Sequence, residues 1–524
     1  MSTRGRPRIS VDKLGYEGRR KRRQRDNNIT EDYATATVPE SRRYTDDEQR
    51  ESSSPDAERH EALVQARVKN KLAQRASRRK KRIRADREES DRQQVRLYNH
   101  PLRYCLRERW HKAANSKSKP KSSSHFAIMG RLGDHILGAQ AASCTLPERD
   151  YVLTDLDGFD EYLERDWVVH PEIIVLRDDR LFSKESRRVT SNDLIKSLPT
   201  DSIINFQDFG LPSEQIYRAL PTPKFQRRWA SSNGQIVDKP MNLLNMSSSN
   251  YEITPPPLLN RCSLLHKATR AVKVDALARK TNAGLDLVGK PTTTDARMDA
   301  DLESCLQFQI CSQAGAISGW HMDSTAPITW ATLERNDDHE GAEDTIKYWA
   351  VVLVPDECLP SALEAFGEQG PEWEPPREWI RIISLIPGDY LIMPPGTIHA
   401  PISPTNCFFR GGMCWDSRIF LTHTLPMWKF IMAHRDKASN EDHPKQAANI
   451  LNKVAGIIRL SPADFNLSSE KDIDDAIRDC QWLADASMPC ECIGSCHDVG
   501  AEHCRCQAGN FVCLQYCPCS CSNK

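Results

Sequence analysis

A long apolar run is what the chain most clearly lacks. The longest candidate, "YWAVVLVP" at 348–355, falls far short of the roughly 18 residues that cross a bilayer, and no apolar stretch lies near the start. These two absences exclude a helical membrane span and a secretory leader, so a soluble, non-secreted protein is expected. Net charge is absent too, with 72 Lys and Arg against 72 Asp and Glu. That balance excludes a chain that is basic throughout, but it hides an asymmetry. Residues 1–124 carry 34 basic against 18 acidic side chains, a net of +16, and the remaining 400 carry 38 against 54, a net of −16. A basic arm on an acidic body points to a polyanion-binding segment joined to a separate globular part.

Apolar residues are scarce over 1–124, which predicts a mostly disordered basic region closed by the linker "KSKPKSSS", because such a segment cannot bury enough surface to offset its chain entropy. Core density returns near 150 with "YVLTDLDGFDEYLERDWVVHPEIIVL". A loop-rich passage at 225–260 precedes short runs rich in Val, Ile, Phe and Trp: "CLQFQIC", "TIKYWAVVLVP", "EWIRIISLIPGDYLIMPPGTIHAPI" and "CFFRGGMCWD". Gly and Pro turns separate them, the pattern of an antiparallel β-barrel or jelly roll. Residues 431–487 read as helical by periodicity, and 488–524 form a cysteine-rich end.

Within "SGWHMDSTAPITW", His321 and Asp323 stand at i and i+2, so on a strand both project to one face. His399, in "PGDYLIMPPGTIHAPI", follows a strand bracketed by Pro-Gly turns. Two histidines and a carboxylate on one octahedral face leave three positions open, as in non-haem Fe(II) oxygenases. Taken alone, a histidine and an aspartate in surface hydrogen bonds would account for H-x-D equally well. Trp330 and Trp349 read as barrel core, and His339 as a solvated histidine in an acidic loop.

Taken together in this order, "HMDSTAPITW", "IKYWAVVLVP", "PGDYLIMPPGTIHA" and "FFRGGMCWD" resemble the JmjC family of Fe(II)- and 2-oxoglutarate-dependent oxygenases over roughly residues 235–425. The resemblance implies a double-stranded β-helix, a cupin-like jelly roll, within an oxygenase domain at 150–430 that has an N-terminal helical part. It implies an iron triad of His321, Asp323 and His399, which are also the catalytic residues. It assigns Lys347, the lysine of "TIKYWAVVL", to the distal carboxylate of 2-oxoglutarate, with Ser318 as a second contact. The insertion "ERNDDHEGAED" lengthens the approach to Lys347 relative to the family. The implied reaction is oxidative decarboxylation of 2-oxoglutarate to succinate and CO2 coupled to hydroxylation. On an N-methyl group the product collapses to formaldehyde and free amine. A nuclear histone N-methyl-lysine demethylase acting on chromatin is the leading expectation. A protein hydroxylase, or a DNA-binding transcriptional regulator with a non-catalytic JmjC scaffold, are the alternatives.

The segment 66–90 contains "NKLAQRASRRKKRIR", which resembles a bZIP basic region through Asn70, Ala73, Ser77 and Arg78, with Gln74 as in fungal members. On a helix these residues share the face that enters a DNA major groove. No zipper follows, since the leucine positions hold Arg87 and Gln94 before Pro101, so a degenerate bZIP and a plain basic segment both stand. "RRKRRQR" at 19–25 and "RRKKRIR" at 78–84 read as nuclear-localisation or phosphate-binding runs.

Of 18 cysteines, nine crowd into the end of the chain: Cys490, Cys492, Cys496, Cys504, Cys506, Cys513, Cys517, Cys519 and Cys521. With no secretory leader such clustering favours metal over disulfides. Nine thiolates satisfy three tetrahedral zinc ions if three sulfurs bridge. The spacing resembles the CXC (tesmin-type) zinc cluster and the pre-SET cluster of histone methyltransferases. CXC modules bind DNA, but the acidic "HDVGAEH" departs from their basic, Tyr-bearing stretch.

Overall fold

The structure is a computed structural model. It describes most of residues 91–524, chiefly leaving aside 115–124, 143–151, 179–190, 245–261, 283–305, 335–344 and much of 493–524, together with a few positions between 66 and 89. The chain divides into two compact units, one including Gln93–Ala142 and Asp150–Lys524, the other Ser10–Arg92 and Ser143–Arg149. Described positions of the second unit, such as Ser77, Arg84 and Glu88, are helical and exposed. Asn70, Ala73 and Arg78 lie outside the described residues, as does His339.

The first unit mixes helices with two large sheets. The smaller is ordered β1 (Gln140–Ala141), β10 (Ile380–Leu385), β9 (Lys347–Val352) and β12 (His399–Ile402). Single bridges from Ile317 to Ile402 and from His321 to His399 carry the H-x-D segment alongside β12. The nine-stranded sheet runs β2 (Val152–Thr154), β3 (Ile174–Leu176), β11 (Tyr390–Met393), β8 (Ile328–Leu333), β13 (Cys407–Cys414), β7 (Phe308–Ser312), β6 (Met241–Leu243), β4 (Ile203–Asp208) and β5 (Tyr217–Pro221).

Burial explains the composition of these strands. Every residue of β8, "ITWATL", is buried, and one of its faces is covered by a helix. Ile328 and Trp330 join Ile174, Leu176, Ile392 and Cys414 in packing against Phe159, Tyr162 and Leu163 of the helix Leu156–Arg165. Farther along the sheet, Phe225 and Trp229 of the helix Thr222–Ala230 cover Phe206, Met241, Cys311 and Phe408. Gly412 on β13 is a close approach: a Cβ there would strike the Leu306 carbonyl oxygen and the Trp330 ring.

Two features differ from the sequence reading. The part preceding β7 holds strands as well as helices, since β2 to β6 belong to the larger sheet. Helix also begins well before residue 124. Pro101 ends one helix at Asn99 and opens the next, Pro101–Ala114, as its fixed φ and missing N–H favour at a first turn. Leu97, Leu102 and Leu106 are buried there despite the surrounding arginines. Arg103 pairs with Asp134, and Gln94 bonds both the Ala139 carbonyl and the Ala141 N–H. The helices Ala447–Leu460 and Glu470–Ala486 pack together within 431–487. No helix among the described residues is long and apolar enough to cross a membrane.

Candidate metal centres and the buried lysine

Local geometry sets the triad. The chain leaves His321, turns at Asp323 and enters β8; Ala326 N–H bonds the Asp323 carbonyl at 2.9 Å. Ala326 adopts φ 45°, a left-handed conformation that costs a non-glycine residue roughly 1–2 kcal/mol and holds the turn tight. The segment is pinned from outside by Met322 N–H to the Ala438 carbonyl and by Ser324 N–H to Glu441 Oε2. His399 arrives after two glycine turns, Gly388 at φ 93° and Gly396 at φ 75°. His321 and His399 exchange both backbone hydrogen bonds, at 3.1 and 3.0 Å. Their rings lie 4.2 Å apart between centroids.

The structure thus brings together the three residues that the sequence singles out. One ligand atom from each of His321, Asp323 and His399 falls within 4.8 Å of the others. Each ring is oriented through Nδ1, which lies 2.7 Å from the Gly319 carbonyl in His321 and 3.0 Å from the Thr397 carbonyl in His399. A carbonyl only accepts, so Nδ1 carries the proton and the Nε2 lone pair is left for a ligand role. Thr329 Oγ1 donates to Asp323 Oδ2, and Asp323 Oδ1 lies 3.8 Å from His399 Nε2. Burial and the neighbouring His399 hold His321 down at about 3, and burial holds His399 at about 4. Both rings are neutral at physiological pH and bind an ion without shedding a proton. Burial pushes Asp323 upward against His321 and the Thr329 hydroxyl, a strain that a divalent cation would relieve.

Lys347 lies on the same β9 face as Trp349 and Val351, and Val351 pairs with His399. The ammonium is 3% exposed. Its neighbours are Ser403 Oγ at 2.7 Å, to which it donates, and the Phe409 ring at 4.7 Å. No carboxylate pairs with it among the described residues, and burial drives its pKa down, opposed by Cys407. Trp349 and Phe409 fill the wall between lysine and triad. The Trp349 ring stacks on His399 at 5.8 Å and 21° and meets Phe409 edge-on at 5.8 Å. Trp349 is buried, as a core residue would be, but it also touches a triad ligand. Ser318 is half-buried, with its N–H on the Pro401 carbonyl; no contact to Lys347 is among those described.

Seven of the nine terminal cysteines are described, and all seven are buried: Cys490, Cys492, Cys496, Cys504, Cys513, Cys517 and Cys519. Cys506 and Cys521 lie outside the described residues. Two sets could hold a metal, Cys490 with Cys496, Cys513 and Cys519, and Cys490 with Cys492, Cys496 and Cys504. Cys490 and Cys496 belong to both, which is how bridging thiolates serve two ions. The Sγ atoms of Cys490 and Cys496, and of Cys496 and Cys513, are 3.6 Å apart. Zinc–sulfur bonds of about 2.3 Å at a tetrahedral angle require about 3.8 Å, whereas a disulfide requires about 2.0 Å. The thiol spacing therefore fits a shared metal. Cys490→Ser should lower the zinc content measured by mass spectrometry by more than the loss of Cys492, which belongs to one set alone.

Sequence reasoning missed Thr329, Ser403 and Cys407, ordinary polar residues whose roles arise from pairing across the fold. Thr329 carries one weak local signal: it stands within β8, the first buried strand after H-x-D.

No protein-family model matches the chain. Over 125 residues, 24% of its length, the chain is 31% identical to KK-1 biosynthesis cluster protein D of Curvularia clavata, and the match spans only 11% of that protein.

Proposed function

We propose that the chain is an Fe(II)- and 2-oxoglutarate-dependent oxygenase of the JmjC type, acting on chromatin in the nucleus, with N-methyl-lysine demethylation as its principal reaction. The observation that carries this reading is Lys347, a buried ammonium with no carboxylate paired to it among the described residues, on the strand that pairs with His399 of a neutral two-histidine, one-aspartate cluster. An unpaired buried charge is expensive. Its presence is explained if an anionic ligand completes it, and a dicarboxylate held between the lysine and a metal does so. The strand order is consistent with a double-stranded β-helix. β7, β13, β8 and β11 are neighbours in one sheet, while β10, β9, β12 and the H-x-D segment are neighbours in the other. The basic runs at 19–25 and 78–84 support nuclear entry and attraction to nucleic acid.

The donor set fits iron: two neutral imidazoles and one carboxylate, with no thiolate, suit a ferrous ion that keeps open positions. When bound, iron and O2 supply the oxidising chemistry that converts 2-oxoglutarate to succinate and CO2 and hydroxylates a substrate C–H bond. The protein's residues contribute position. His321 and His399 are fixed by their Nδ1 hydrogen bonds, and Asp323 is fixed by Thr329. Lys347 takes the distal carboxylate in a water-poor corner where a charge-assisted hydrogen bond is strong. Trp349 and Phe409 exclude water along the wall between. The zinc-type cysteine cluster and the basic arm serve chromatin contact, to DNA or to a histone tail.

Purified full chain supplied with Fe(II), 2-oxoglutarate and O2 should release succinate, faster with methylated histone peptides, with formaldehyde formed in equal amount. Succinate without formaldehyde on every methylated peptide would favour the hydroxylase; neither product, with no Fe(II) bound at the triad, would favour the scaffold.

A further inference from the structure

The H-x-D segment is held along both of its edges. On one edge His321 exchanges both backbone hydrogen bonds with His399. Along an extended segment the N–H groups alternate between edges, so Met322 and Ser324 turn theirs to the other side. Their partners there are residues 438–441, which close and follow the short helix Arg435–Ala438. The Ala438 carbonyl accepts from Met322 N–H at 2.8 Å, and Glu441 Oε2 accepts from Ser324 N–H at 3.1 Å. A neighbouring strand would meet Ser324 with a backbone carbonyl. Here a side chain meets it.

That hydrogen bond falls on the peptide group directly after Asp323. The carbonyl of the Asp323–Ser324 peptide accepts from Ala326 N–H at 2.9 Å, and its N–H donates to Glu441. A peptide group is a rigid plane. Held at both ends, it fixes the backbone torsion of Asp323 and with it the direction in which the side chain leaves the chain. Thr329 then holds the carboxylate at the far end. The turn needs such restraint, because Ala326 at φ 45° is strained and persists only where its surroundings over-determine it. Glu441 is itself placed by the residues before it. Its N–H donates to Ser439 Oγ at 3.2 Å, and the Asn440 carbonyl accepts from the Tyr217 hydroxyl at 2.9 Å, which ties 438–441 to β5. Glu441 is exposed, so trimming its side chain to Cβ opens no cavity in the core.

We infer that Glu441 is a positioning residue for the metal centre, holding the Asp323–Ser324 peptide so that the Asp323 carboxylate stays aimed at an ion shared with His321 and His399. This inference rests on the metal-binding part of the oxygenase reading. The test is titration of the full chain with Mn(II), a hard ion that thiolates hold poorly, with the affinity and the electron paramagnetic resonance spectrum of the bound ion as readouts. Glu441→Ala should weaken Mn(II) roughly 10- to 100-fold, the range for loss of a group that orients a metal ligand, and should alter the spectrum of the ion that still binds. Glu441→Gln keeps an oxygen that accepts from Ser324 N–H and carries no charge, so it should restore both readouts to near wild type. Both variants should melt, free of metal, at the wild-type temperature. Wild-type affinity and spectrum in Glu441→Ala overturns the role of Glu441. So does Glu441→Gln that binds as weakly as Ala, since charge and not the hydrogen bond would then be at work. An Ala variant whose metal-free melting temperature falls together with its affinity overturns it as well, by making Glu441 a part of the fold. Wild type that binds no Mn(II) overturns the metal reading of the triad and this inference together.

Discussion

Asp323→Ala is expected to abolish Fe(II) binding at the triad and succinate release with it, without unfolding the protein. The carboxylate is the triad's single anionic ligand, and His321 and His399 are neutral. Its removal takes away the triad's one charge that favours a divalent ion over water. Loss of a partner outside the ligand shell already costs roughly 10- to 100-fold in metal affinity, and loss of the ligand itself should exceed that. Stability should move the other way. Burial raises the Asp323 pKa, so without metal the charged carboxylate is a burden on the native state at neutral pH. Alanine removes it at the expense of one hydrogen bond from Thr329. The metal-free variant should melt at or above the wild-type temperature by calorimetry. A variant that still takes up Fe(II) with wild-type affinity would show that these three residues are not the iron ligands.

The site was legible in the sequence where short-range geometry determines it. Period two on a strand is enough to put His321 and Asp323 on one face. Pro-Gly turns, realised as positive φ at Gly388 and Gly396, are enough to mark where a hairpin returns. Lys347 was legible only through the family resemblance, as the lysine of "TIKYWAVVL" on the strand after H-x-D. What could not be read is pairing between distant segments. Ser403 is 56 residues from Lys347 in the chain and becomes its neighbour only through the β9–β12 register. Thr329 is one of several threonines near the turn, and nothing local says that its hydroxyl reaches Asp323. The helix Pro101–Ala114 was hidden by its arginines, since Leu97, Leu102 and Leu106 are too few to show a periodic face. The five strands that extend the larger sheet are short, three to six residues each, except that β3 alone announces itself in "EIIVL"; brief strands carry too few alternations to distinguish them from loop.

Replacing Lys347 by Met should separate function from stability in the clearest way. Methionine keeps the length of the stem and fills the same space against Phe409 while carrying no charge to desolvate. Exchange of buried ionic groups for apolar ones of similar volume is often stabilising by about 1–4 kcal/mol, and an ammonium without a carboxylate lies at the favourable end for such an exchange. Met should lose the hydrogen bond to Ser403, worth about 1.5–3 kcal/mol from a charged donor, but it also removes the desolvation that drives the Lys347 pKa down, so a net gain in unfolding free energy is expected for the ligand-free protein. The pH dependence follows from the direction of the shift. Burial lowers the Lys347 pKa below its ordinary 10.5, so between the folded and unfolded values the unfolded chain binds more protons and wild-type stability rises with pH. The advantage of Met is therefore full below the folded value and vanishes above about 10.5. Binding should show the opposite cost: losing the charged partner of a buried carboxylate costs roughly 2–5 kcal/mol, so 2-oxoglutarate affinity should fall by at least some 30-fold. Urea titrations across this pH range, with calorimetry of 2-oxoglutarate on the Mn(II)-loaded protein, measure both quantities. A Met variant that is less stable at pH 7 and still binds 2-oxoglutarate would mean that the ammonium supports the fold and not a ligand.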